Sequence, residues 1–174
     1  MVDPSQTRHD EVDRIIDAWH AQRPDVDTSP MEIFSRITRI DRILSLKRRR
    51  AFAEHNLEEW EFDVLSSLRR CGDKPALTPG ALMSELLVSS GTMTNRINRL
   101  EAKDLVRRQP DPSDKRGVLV VLTPDGRTCV DAAIQSLVVC EKQMLNDFSQ
   151  TDLRVLRTHL RNLLMSLEEK PTLS

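Results

Sequence analysis

The chain has few of the residues on which catalytic and cofactor-binding motifs depend. Only five glycines occur among 174 residues, and they lie singly, so there is no glycine-rich phosphate loop. The three cysteines lack CxxC spacing and the four histidines are scattered, which argues against a disulfide framework and a metal site. Aromatic residues make up 3% of the chain, without a tyrosine. With no nucleophile paired to a base, we predict neither an enzyme nor a cofactor.

The chain also lacks a long apolar run and a strong net charge. No stretch approaches the ~18 apolar residues of a membrane-spanning helix, and no signal peptide opens the chain. We therefore expect a cytoplasmic protein without a membrane partner. The net charge of −1 means that nucleic-acid binding would depend on local placement of charge.

The segment between positions 89 and 123 carries the strongest indication of function. Met93, Ile97 and Leu100 recur at i, i+4 and i+7, which predicts a helix with one apolar stripe facing inward. The other faces carry short polar groups of the kind that contact phosphates and base edges in a DNA groove. The predicted DNA contacts from this helix are Thr92, Thr94, Asn95 and Arg99, with Ser89, Ser90 and Gly91 at its N-terminus.

Two strand-like arms follow this helix, at residues 105–108 and 118–122. The charged segment between them, with its proline and glycine, is too polar for a core and predicts a hairpin, or wing. Lys115 and Arg116 would lie along the sugar-phosphate backbone or in a minor groove. Asp114 would shape the wing through an ion pair with Arg116 inside the hairpin, either in place of DNA contact by these residues or together with it.

The remaining segments read as helices. An N-terminal helix is predicted from Asp10 to about Gln22, and the next two helices are predicted to be capped by Ser29 and Asn56. Thr78-Pro79 predicts the start of a further helix, and Thr123-Pro124 the start of a long one whose apolar face extends to Phe148. Ser149 is predicted to cap the last helix.

We predict a mostly α fold with a small β-hairpin wing. The apolar faces of the last two helices exceed what one small core can cover, which indicates a dimerisation surface. Three parts are expected: extension and scaffold helices in residues 1–55, a winged helix-turn-helix in residues 56–123, and dimerisation helices in residues 124–174.

The order of these elements resembles the MarR family of bacterial transcription regulators. The most specific part is the wing, Asp111-Pro112-Ser113-Asp114-Lys115-Arg116, followed by Leu-Thr-Pro-x-Gly. This resemblance implies a homodimeric winged helix on a pseudo-palindromic DNA operator, regulated by a small ligand or by oxidation.

The N-terminal extension is similar to that of the PecS-type, urate-responsive branch of the family. The resemblance implies that Trp19, Asp63 and Arg96 bind a small anionic effector, urate or a related planar or polycarboxylic anion. An Asp63–Arg96 pair would tie the predicted recognition helix to the scaffold, and an anion stacked on Trp19 would compete for Arg96. The predicted function is thus a repressor released from DNA by this anion.

Two alternatives remain from the residues alone. Cys71, Cys129 and Cys140 would be the thiols of a redox-responsive regulator, with Cys71 the better candidate beside Arg69 and Arg70. A winged helix can also contact other proteins without binding DNA.

Overall fold

The computed structural model describes residues 9–72, 76–114 and 116–168. The mostly helical prediction with a small sheet is confirmed. The elements are α1 (Glu11–Gln22), α2 (Ser29–Ala53), α3 (Glu59–Arg70), β1 (Ala76–Leu77), α4 (Pro79–Leu86), α5 (Ser90–Ala102), β2 (Val106–Pro110), β3 (Val118–Leu122), α6 (Pro124–Met144) and α7 (Gln150–Glu168). They divide after Trp60 into two compact units. No described helix has the length and hydropathy to span a membrane.

The first unit contains α1 packed on α2. Asp10 caps α1, because its carboxylate accepts hydrogen bonds from the amides of Val12 and Asp13 at 2.7 and 3.1 Å. The same carboxylate and that of Asp13 bind the guanidinium of Arg36 on α2, at 2.8 and 2.6 Å. Arg36 therefore fixes the first turn of α1 against α2, while Val12 and Ile16 are buried.

Two predicted helix caps are wrong. Helix α2 begins at Ser29 and not after it, because the Asp27 carboxylate accepts the Ser29 amide at 3.0 Å. The N-cap is Thr28, whose hydroxyl is 2.8 Å from His20 Nε2 and makes no capping bond. Asn56 does not cap α3, since it has a φ of 56° and occupies a turn before the helix starts at Glu59.

The second unit is the winged helix. Strands β1, β3 and β2 form an antiparallel sheet in that order, with Val106 opposite Leu122 and Pro110 opposite Val118. The first wing arm runs from residue 106 to 110, so the predicted 105–108 span starts one residue early and ends two early. The core between helices and sheet is apolar, and its fully buried members include Val64, Leu65, Leu68, Leu82, Met93, Leu100 and Val120.

Helix α6 starts as the Thr123-Pro124 pattern predicts, with the Thr123 hydroxyl accepting the Gly126 amide at 2.9 Å. A side chain at Gly126 would place its Cβ 1.9 Å from the Leu105 carbonyl oxygen, so only glycine fits. The helix ends at Met144, and the prediction that Phe148 continues its face is wrong. Ser149 caps α7 as predicted, accepting the Asp152 amide at 3.2 Å.

The contact of α1 with α2 should weaken in acid. The Arg36 guanidinium, helped by the amides of Asp13 and Val12, lowers the pKa of Asp10 from 3.8 to about 2. A depressed carboxyl pKa contributes stability above about pH 4 that is lost as the pH falls toward 2. Arg36→Ala should remove this stability at neutral pH and raise hydrogen–deuterium exchange of the α1 amides several-fold. Arg14→Ala, which breaks only a surface pair with Glu11, is the control and should leave α1 exchange unchanged.

Candidate nucleic-acid interface

Helix α5 presents a polar N-terminal half over an apolar stripe. Met93, Ile97 and Leu100 are at most 1% exposed, which confirms the predicted inward face. Ser89 is the N-cap: its hydroxyl accepts the Thr92 amide at 3.3 Å and lies 2.9 Å from the Thr92 hydroxyl. The first turn is thereby closed by its own side chains and points into solvent.

The residues predicted to contact DNA from this helix share one exposed surface. All are solvent-exposed: Ser89, Ser90, Gly91, Thr92, Thr94, Asn95 and Arg99. Gly91 has open space around the position of a Cβ, so nothing in the described chain covers the helix start. This surface, the reading surface, carries hydroxyl, amide and guanidinium groups and no carboxylate. Its chemistry suits phosphate oxygens and the acceptor-rich edges of base pairs.

The other end of α5 is fixed inside the unit. Lys103, the C-cap residue, donates to the carboxylate of Glu61 at 2.7 Å, and Glu61 is completely buried on α3. The chain then turns through Asp104, with a φ of 54°, and the Asp104 carbonyl accepts the Thr123 hydroxyl at 2.6 Å. Helix α5, the first wing strand and the start of α6 therefore meet at one junction.

The wing is shaped by two carboxylates that bind groups within the turn. Asp111 accepts from both the amide and the hydroxyl of Ser113, and these bonds hold the pKa of Asp111 below its usual value. Asp114 accepts the backbone amide of Arg116 at 2.9 Å. A Cβ on Gly117 would lie 2.9 Å from that of Asp111, which explains the glycine.

The geometry at the wing tip refines the expected role of Asp114. Its carboxylate engages the backbone of Arg116, and no Asp114–Arg116 side-chain ion pair occurs among residues 111–114 and 116–118. Arg116 is exposed. Lys115, predicted beside it, lies outside the described residues.

One functional contact was missed from the sequence. Arg108 at the middle of β2 donates its backbone amide to Glu101 at 2.8 Å, and its guanidinium binds Glu101 and, at 2.7 Å, Asn98. Both partners are on α5, so this cluster connects the wing to the recognition helix. The only sequence signal is a helix-end glutamate followed by a strand arginine, seven residues apart, which is too common to interpret.

The three predicted effector residues lie on three helices in two units. Trp19 on α1 is 48% exposed. Asp63 is exposed on α3, and Arg96 is half-buried on α5. Arg70, seven residues after Asp63 on the same helix, donates to Glu85 on α4. The joint role of the three residues stays a prediction.

The cysteines give little support to thiol sensing. Burial raises the pKa of Cys129, and this outweighs the opposing effect of Lys103, so the reactive thiolate is disfavoured. Lys103 lies 26 positions before Cys129 in the chain, so sequence spacing does not indicate this nearby cation. Cys71 is exposed and its thiol donates to the Ser67 carbonyl at 3.4 Å. No group of residues suited to hold a metal occurs in the described ranges.

A capped recognition helix, a preceding short helix and a hairpin wing define a winged helix-turn-helix. Residues 61–118 match the family model described as MarR. The chain is 32% identical over 162 residues to the HTH-type transcriptional regulator PecS of Dickeya dadantii, covering 93% of this chain and 95% of PecS.

Solved structures agree with this class. A mutant MarR from E. coli complexed with operator DNA superposes with a TM-score of 0.67 at 25% identity, covering 80% of this chain and 99% of that one. AbsC from Streptomyces coelicolor shares the fold, with a TM-score of 0.72 at 20% identity over 83% and 98% of the two chains. The chain belongs to the MarR family, and it is a transcriptional regulator and not an enzyme.

The link between wing and α5 should be testable without DNA. Glu101→Ala removes the acceptor of both the Arg108 amide and its guanidinium, so hydrogen–deuterium exchange in residues 106–110 should rise several-fold. Glu85→Ala, which breaks the Arg70 pair elsewhere in the same unit, should not change exchange in this strand. Equal exchange in the two variants would mean that strand pairing with β3 alone holds the wing.

Proposed function

We propose that the protein is a homodimeric, cytoplasmic repressor that binds a pseudo-palindromic operator and is released by a small anion such as urate. The DNA-binding part of this proposal is supported by the reading surface. Six exposed polar residues and Gly91 lie along α5 opposite a stripe that is fully buried, so the helix is held by its apolar face with its polar face free for a major groove.

The wing supports the same function. Its tip exposes Arg116, while Asp111 and Asp114 are engaged in hydrogen bonds that shape the turn. A guanidinium at the tip of a hairpin can contact phosphates or enter the minor groove beside the major groove that α5 would occupy. The E. coli relative solved with operator DNA supports this use of the fold for a chain of the same family.

Dimerisation is supported by the apolar surface of the C-terminal helices. No residue of α7 is buried, although Leu156, Leu160 and Leu164 recur on it and are 39 to 57% exposed. On α6, Val138 and Val139 are more than half exposed. A second copy of the chain would cover these side chains, and a two-fold dimer would place two reading surfaces on neighbouring half-sites.

The effector part follows from the chemistry of Trp19, Asp63 and Arg96. The exposed indole of Trp19 offers a face on which a planar anion can stack. The anion would attract the Arg96 guanidinium and repel the Asp63 carboxylate. Because Arg96 is on α5, such a change in its interactions would be transmitted directly to the reading surface.

Loss of reading-surface and wing groups should weaken operator binding in different ways. Asn95→Ala should cost ~1–3 kcal/mol and relax specificity at one base pair. Arg116→Ala should weaken binding to all sequences and reduce the slope of log affinity against log salt by about one. The measurement is fluorescence anisotropy on the promoter fragment of the protein's own gene, across a salt series.

Arg14→Ala is the matched control for charge, since it removes an exposed arginine of the first unit and should leave binding unchanged. Unchanged operator affinity in both Asn95→Ala and Arg116→Ala would favour a winged helix that contacts proteins instead of DNA.

The response to an anion should depend on Asp63 and Arg96. Added urate should reduce operator occupancy by ~5- to 150-fold, the range of a typical coupling free energy. Asp63→Ala should abolish this response while DNA binding without urate persists. Asp17→Ala, which removes an exposed carboxylate of α1, should respond like the unmodified protein. If urate still reduced operator occupancy fully in both Asp63→Ala and Arg96→Ala, the proposed mechanism would be wrong.

A further inference from the structure

Leu87, the residue that follows α4, is the most exposed large apolar residue of the described ranges. It is 91% exposed, whereas the other exposed large apolar residues of the described chain lie between 39 and 57%. Its neighbours in the sequence, Leu86 and Val88, are half-buried. Because the free energy gained from an apolar side chain scales with the area it removes from water, the fold gains almost nothing from that of Leu87.

The backbone of Leu87 is also in an unfavourable conformation. Its φ of 51° and ψ of 44° lie in the left-handed region, where it ends α4 by donating its amide to the Met83 carbonyl. The other described non-glycine residues with a positive φ are Asn56 and Asp104, whose types tolerate this conformation better than leucine does. Glycine would end the helix with less strain. The leucine side chain therefore serves neither the core nor the turn.

The position of Leu87 relates it to the reading surface. Leu87 precedes Ser89, the N-cap of α5, by two residues, a span of at most about 7 Å. The exposed residues on either side, Glu85, Ser89 and Ser90, are polar, so this segment is not a continuous apolar patch of the kind that docks a protein. The Glu85 carboxylate is paired with Arg70. Leu87 thus adds one apolar group to the edge of a polar surface.

We propose that Leu87 contacts the C5-methyl group of a thymine in the operator and contributes to sequence specificity. This inference rests on the proposed docking of α5 in a major groove. The thymine methyl is the apolar group that base pairs present in that groove, so it is the natural partner for an exposed leucine there. The contact removes both groups from water, and it discriminates thymine from bases that lack the methyl.

The test is fluorescence anisotropy on the promoter fragment of the protein's own gene, made once with thymine and once with uracil at every thymine position. Uracil pairs like thymine and lacks only the methyl group. Leu87→Ala should weaken binding to the thymine form by ~4- to 15-fold, the effect of losing one or two methylene groups from an apolar contact. It should bind the uracil form as the unmodified protein does, because the methyl group is already absent.

Leu87→Gly separates the contact from the stability of the fold. It should repeat both effects on binding, yet raise the midpoint of thermal unfolding by about 2–4 °C, since glycine adopts a φ of 51° without a steric penalty. A lower midpoint would overturn the inference, because the side chain would then stabilise the fold.

Val26→Ala, which shortens an exposed apolar side chain of the first unit, is the control and should change neither affinity. The inference is also overturned if Leu87→Ala weakens binding to both forms equally, or to neither. The last result would leave a protein as the partner of Leu87. If the unmodified protein bound neither form of the fragment, the proposed binding to this operator would itself be wrong, and the inference would fall with it.

Discussion

The ion pair between Lys103 and Glu61 is the constraint on which the winged helix depends. Glu61 is completely buried, and a buried carboxylate is tolerated only where a cation and good hydrogen-bond geometry offset the loss of hydration. The pair fixes the end of α5 against the start of α3. The apolar stripe from Met93 to Leu100 then fixes the rotation of the helix about its axis. The opposite face of the helix remains exposed from Ser90 to Arg99, and this face carries the reading surface.

The junction at the end of α5 also determines where the wing and α6 begin. Leu105 follows the left-handed turn at Asp104, and its carbonyl accepts the Thr123 amide at 3.2 Å and lies beneath Gly126. The contacts of Arg108 with Glu101 and Asn98 add a second connection, between side chains of β2 and α5. A displacement of α5 would therefore move the first wing strand with it. Any effector that acts on α5 would change the helix and the wing together.

Much of this unit could be predicted from the sequence, because its signals are local. The stripe on α5, the caps Thr78, Ser89 and Thr123, and the wing turn all depend on residues within a few positions of each other. The wrong caps at Ser29 and Asn56 have local causes, the Asp27 carboxylate and the left-handed φ of Asn56, whereas other features depend on distant residues. His20 takes the Thr28 hydroxyl, and β1 is only two residues long and exists through its pairing with β3. The contacts of Arg108 and of Lys103 likewise need the fold before they can be recognised.

The distribution of charge explains how a chain of net charge −1 can present a cationic surface to DNA. Three arginines are neutralised inside the fold, because each binds a carboxylate on another element: Arg36, Arg69 and Arg108. At the wing the relation is reversed. There the carboxylates of Asp111 and Asp114 accept hydrogen bonds from amides and a hydroxyl within the turn. Neither carboxylate neutralises the Arg116 guanidinium, which is exposed. Electrostatic attraction to a phosphate backbone falls off within about 10 Å at moderate salt, so this local arrangement matters more than the total. The net charge follows from the sequence alone, but the charges that a binding partner meets depend on which side chains the fold leaves unpaired at the surface.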